Sequence, residues 1–169
     1  QEPSIDPSWR DTTLSIDAES MSLTYPGGAR DCEALFVDSR DERLYLVTKT
    51  GEDSCGVFSA LWRAGIAPVM LEYAGSVRIP SAFSPLRLVT AADMATDGSA
   101  ILLRTYTAIY EYRGGGIGAA ALFSAAPRSL PSLPAQSQVE AVCYSRSTRG
   151  IWTVSEGKLQ PLYLIARRP

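Results

Sequence analysis

The chain has 169 residues, 46% hydrophobic and 20% charged, enough apolar material for one domain with a buried core rather than a disordered or fibrous chain. Its 16 basic and 18 acidic residues leave a net charge of -2, which argues against a nucleic-acid surface held by an overall basic field, and no apolar run reaches the roughly 18 residues of a membrane span. The absence of histidine removes the commonest general base, the commonest metal ligand and any Ser/His/Asp or Cys/His machinery.

In chain order, residues 1–19 read as an N-terminal arm. The arm opens on Gln1 rather than Met, which points to a removed leader or a longer product, and so to export. "SMSLTYP" (Ser20 to Pro26) is an isolated strand. "ALFVDS" and "RLYLVTK" form a hairpin around the turn "SRDE", and "GVFSALW" and "VMLEYAG" continue it. A second hairpin joins the strand before "TDGS" to "AILLRTY". "AIYEYR" follows, then an apolar stretch around Ile117 to Ala126, which reads as strand plus loop because Gly precedes it, Pro127 follows it and it has no polar face. "VEAVCYS", "GIWTVS" and "LYLIAR" close the chain, so the expected class is all-β, built of hairpins.

The hairpins repeat. Each copy runs acid, strand, turn, strand, small hydroxyl: Glu33 with Thr48, Asp93 with Thr105, Glu140 with Ser155. The copies start 60 and 47 residues apart, around the period of propeller blades, four-stranded antiparallel units that cannot bury both faces alone. The expected architecture is a β-propeller-like half ring of three such blades, at 30–80, 88–128 and 137–169, with a linker at 129–136. The third copy ends before a fourth strand, so the 20–29 strand is expected to complete that last blade and remove its edge. Three blades fall short of the usual four to eight, which predicts either a homodimer making six blades or a partner chain supplying the rest.

"DCEALFVD" with "LYLVTK", then "ADMATDG" with "LLRTYTAIYEY", then "VEAVCY" with "TVSEG", resemble in that order the later blades of secreted bacterial β-propeller proteins labelled esterase-like or phytase-like. The match runs from about Tyr25 to Ile165. "ATDG" stands where those proteins tend to have Ser-Pro-Asp-Gly, and Val139 where a Gly is usual. The resemblance implies a propeller and, from the labels, an ester or phosphoester hydrolase.

If each acid starts an innermost strand, Glu33, Asp93 and Glu140 meet at one channel mouth. Thr48, Lys49, Thr105, Tyr106, Ser155 and Glu156 would then stand around them. Carboxylates with hydroxyls suit a hard cation such as Ca2+, which could polarise an ester, lactone or phosphoester while a carboxylate acts as base. The same acids could instead cap loops or pair with Arg30, Arg104 and Lys49. Cys32 and Cys55 are candidates for a disulfide in an exported chain, and Cys143 reads as a small buried hydrophobe. Two functions remain open on these residues: an exported non-catalytic binding or assembly module, and a divalent-metal-dependent hydrolase.

Overall fold

A computed structural model describes residues 6, 8, 13–63, 65, 67–81, 83–114, 118–130, 138–146 and 150–166. After a short strand β1 (Leu23–Thr24) come β2 (Cys32–Asp38), β3 (Arg43–Thr48), β4 (Ser54–Leu61), a two-residue β5 (Val69–Met70) and β6 (Glu72–Arg78). β7 (Val89–Met94), β8 (Ala100–Thr105) and β9 (Ile109–Arg113) follow, then helix α1 (Ala119–Phe123) and β10 (Arg128–Ser129). β11 (Val139–Tyr144), β12 (Gly150–Ser155) and β13 (Tyr163–Ala166) complete the series. The strands make three open antiparallel sheets, ordered β2-β3-β4-β6, β7-β8-β9-β10 and β11-β12-β13, plus a parallel pair of β1 with β5. The all-β, hairpin-built expectation therefore holds, with one short helix added.

Period-two alternation sets which side chains go inward: along β2, Ala34, Phe36 and Asp38 are buried while Leu35 and Val37 are exposed. One face of the second sheet, carrying Met94, Ile101, Leu103 and Tyr112, packs against Phe36, Tyr45, Val47 and Val57 of the first. Its other face, carrying Ala91, Leu102 and Ile109, packs against Val142, Tyr144 and Ile151 of the third. The sheets thus stack in a row, with β7 in contact with both β2 and β11.

The structure moves three expected elements. β1 does not complete the third sheet; it pairs in parallel with β5, Leu23 opposite Val69, through Val69 N–H to Ser22 O and Leu71 N–H to Thr24 O, each 2.8 Å. The cause is apolar: Met21, Leu23 and Tyr25 cover Leu44, Phe58 and Ala60 on the outer face of the first sheet, which would otherwise meet water. Ala119–Phe123 is helical rather than a strand. Three consecutive alanines favour a helix, and one turn suffices to bury Ala119, Leu122 and Phe123. Phe123 meets Tyr112 and Phe36 edge-on, with ring centroids 5.1 and 6.2 Å apart. The fourth strand of the second sheet is therefore β10, at the junction of the expected second blade and the linker; residues 131–136 of that linker lie outside the described residues.

The first two hairpin turns close on Asx geometry, Asp41 Oδ1 accepting from Arg43 N–H at 3.0 Å and Asp97 Oδ1 from Ser99 N–H at 2.9 Å. They also touch. Fully buried Asp38 accepts from Arg40 Nη2 at 2.7 Å and Nε at 2.9 Å, and the Arg40 side chain lies over Gly98 in the neighbouring turn. These hydrogen bonds from Arg40 hold the Asp38 carboxyl below the usual carboxylate range. Gly98 sits at φ 68°, and a Cβ there would collide with Arg40 Nε. We expect Gly98→Ala to cost about 1–2 kcal/mol from the left-handed backbone alone. The clash adds to that, so in urea melts the penalty should shrink on an Arg40→Ala background.

Candidate functional site

The three first strands share a detail that fixes their true alignment. A β-bulge lies between Cys32 and Ala34, another between Val89 and Ala91, and a third between Val139 and Ala141. Across the sheet Cys32 faces Thr48, Val89 faces Thr105 and Val139 faces Ser155. Equivalent positions therefore start at 32, 89 and 139, which are 57 and 50 residues apart rather than 60 and 47. The hydroxyl ends Thr48, Thr105 and Ser155 correspond as the sequence suggests. The bulged residues are Glu33, Thr90 and Glu140.

Asp93 is not among them. It pairs with Leu102 toward the far end of β7 and occupies the position of Phe36 and Cys143. There Asp93 Oδ2 accepts from Tyr144 N–H at 2.7 Å across the sheet boundary, and burial raises its pKa. At the bulge end Thr90 takes its place, donating to Val139 O at 2.7 Å. The three acids accordingly do not surround one point. Glu33 is engaged by Lys49 Nζ at 2.6 Å, and no group of three His, Cys, Asp or Glu among the described residues is placed to hold a cation. The residues do not fit the Ca2+ site that their sequence order suggests, because the acid-led pattern matched residue type where the structure repeats bulge and turn.

What the bulge end does hold is a polar seam between sheets. Lys49 Nζ, besides its bond to Glu33, donates to Tyr106 Oη at 2.8 Å and lies 4.9 Å from the ring centroid, tying the first sheet to the second. Glu33 and Tyr106 together favour the charged ammonium, so the Lys49 pKa rises despite partial burial. Thr48 Oγ1 accepts from Gly56 N–H at 2.8 Å, and Thr105 Oγ1 from Ala108 N–H at 3.2 Å, so both hydroxyls shape loops. Glu140 and Glu156 are exposed, Glu156 N–H bonding Gln138 O at 2.9 Å. Ser155 Oγ is buried without a partner. Of the cations, Arg30 lies 5.2 Å from the Phe58 ring centroid, and Arg104, in β8, is 4% exposed. Expected as a partner for the repeated acids, Arg104 is instead buried with no carboxylate among the described residues paired to it, because it lies inside the apolar run "AILLRTY". Its signal is the spacing from Ala100 and Leu102, which puts it on their face.

Cys32 and Cys55 are free thiols, as is Cys143. β3 lies between β2 and β4, so two strand spacings of about 4.8 Å separate the first pair, beyond the roughly 7 Å Cα separation a disulfide spans. Cys32 Sγ instead donates to Val47 O at 3.3 Å, Cys55 is wholly buried between the first two sheets, and Cys143 is exposed rather than buried. Burial pushes the Cys55 thiol up to about 11.

No helix among the described residues is long and apolar enough to cross a membrane. No family model and no curated protein matches the chain. Among solved structures, Sqt1 of Saccharomyces cerevisiae is similar to this chain with a TM-score of 0.45 and 7% identity over 90% of it, and the chain spans 40% of the Sqt1 chain's length.

Proposed function

We propose that the protein is a non-catalytic assembly and binding module, a propeller-like half ring that closes by docking the third sheet onto the first sheet of a second copy. The observation that carries this reading is the open face of the third sheet. Ala141, Cys143, Trp152, Val154 and Leu164 alternate with the residues packed against the second sheet, and Leu164 is 50% exposed. In the first sheet the corresponding positions of β2 and β3, including Phe36, Tyr45 and Val47, form the core against its neighbour. The third sheet thus presents an apolar face that no neighbouring sheet covers among the described residues, which supports an interface there.

At the other end of the row, Leu35 and Val37 of β2 are 51% and 57% exposed, next to the part covered by the β1 segment. Docking one end onto the other is a heterologous contact, which closes into a ring when two copies each make it once. Light scattering tests this: a mass of two chains is expected, falling to one in Trp152→Lys and in Leu164→Lys, with the fold kept by circular dichroism. A monomer at high concentration in the unaltered protein overturns the second-copy reading.

A further inference from the structure

We propose that the seam between the second and third sheets, at its bulge end, binds a small oxyanion, the carboxylate or phosphate group of a ligand, with the Arg104 guanidinium as its anchor and Ser155 Oγ as a second donor. This goes beyond the assembly reading and stands independently of it. Three fully buried side-chain polar atoms among the described residues lack a hydrogen-bond partner: Tyr25 Oη, Arg104 Nε and Ser155 Oγ. The last two lie on the facing sides of the second and third sheets, at the same end of the seam.

Arg104 follows Ala100 and Leu102 on the face of β8 that packs against the third sheet, and Ser155 follows Ile151 and Thr153 on the face of β12 that packs against the second. Their strands meet through Thr90, whose hydroxyl reaches Arg104 O at 3.5 Å and Val139 O at 2.7 Å, and Val139 is the cross-strand partner of Ser155. Arg104 is next to the last residue of β8 and Ser155 is the last of β12, so both sit at the rim of the seam rather than in its middle.

Packing alone does not call for an arginine here. The corresponding residue of the first sheet is Val47, wholly buried in an apolar core at the same kind of seam. Arg104 is 4% exposed, yet among the described residues no carboxylate pairs with it. Burial alone pushes its pKa down, to about 10, so it still carries its charge near neutrality. An uncompensated buried cation is strongly destabilising, and a planar guanidinium is matched by a two-oxygen or phosphate-type acceptor. The neutral Ser155 hydroxyl, at the same rim of that seam, supplies the second donor such an anion needs.

The test is thermal melting and isothermal titration of the whole chain with sodium phosphate and sodium acetate, each against sodium chloride at matched ionic strength. A saturable rise in melting temperature with phosphate or acetate, absent with chloride, is expected; which of the two acts tells phosphate from carboxylate. Arg104→Met should abolish the response, Arg104→Lys should weaken it by losing the fork, and Ser155→Ala should weaken binding several-fold while leaving Arg104 in place. Should the unaltered protein respond to chloride as it does to both anions, or Arg104→Met bind as tightly as the unaltered protein, the site does not exist.

Discussion

Arg113→Met is expected to lower the folding free energy by about 1–3 kcal/mol at neutral pH, the usual cost of removing one hydrogen-bonding partner of a buried polar group. The group that loses a partner is Glu111, whose side chain is 1% exposed. Its carboxylate accepts from Arg113 Nε at 3.0 Å and Nη2 at 3.3 Å and from Tyr144 Oη at 2.8 Å. Tyr144 belongs to the third sheet and Glu111 to the second, so this group bolts the two together. The asymmetry of the pair decides which partner matters: Arg113 is 51% exposed and can return to water, whereas Glu111 cannot.

Removing the arginine thus costs more than removing the acid. Glu111→Gln on the Arg113→Met background should recover much of the loss, because the amide oxygen still accepts from Tyr144 while the charge is gone. The pH dependence has a definite sign. Losing a positively charged partner disfavours the ionised Glu111 in the folded state only, so the variant's deficit relative to the unaltered protein should shrink as the pH falls and the carboxylate is protonated in both. Urea melts at several pH values measure all three quantities. An Arg113→Met penalty below about 1 kcal/mol would mean that Tyr144 and the other neighbours of the carboxylate satisfy it without Arg113.

The hairpins were legible because their information is local. Alternation in "CEALFVD", turn residues at Asp41 and Asp97, and hydroxyls at 48, 105 and 155 each sit within one hairpin and survive in the structure. The acid ring failed because residue type outweighed geometry. Leu44, Ile101 and Ile151 are equivalent, each paired with the residue seven before it (Val37, Met94 and Tyr144), so equal turns place Thr90, not Asp93, beside Glu33 and Glu140. The destination of β1 depended on the apolar outer face of the first sheet, made by Leu44, Phe58 and Ala60 from two strands. No single-segment pattern encodes that face. The short helix likewise answers to the Phe36, Tyr112 and Phe123 ring cluster, a contact among residues far apart in the chain.

One register position shows how far context governs energy, and it supports the second large prediction. Phe36, Asp93 and Cys143 are equivalent in β2, β7 and β11. Phe36 is 2% exposed, stacked on Tyr45 at 5.1 Å with a 7° interplanar angle, and forms part of the seam between the first two sheets. Phe36→Ala should cost about 3–5 kcal/mol, since the rings of Tyr45 and Phe123 lose a packed partner and a rigid β-sheet seam collapses only in part. Cys143 lies on the open face of the third sheet. In a free chain Cys143→Ala should change stability by no more than about 0.5 kcal/mol, as for other surface positions. If two copies close a ring through that face, the same small substitution becomes a core truncation, and its cost should grow with protein concentration as assembly is linked to folding. Denaturation of both variants across a hundredfold range of concentration separates the cases. A constant, small Cys143→Ala effect together with a constant, large Phe36→Ala effect describes a three-sheet monomer, whereas a Cys143→Ala effect that rises with concentration places that cysteine in a seam between copies.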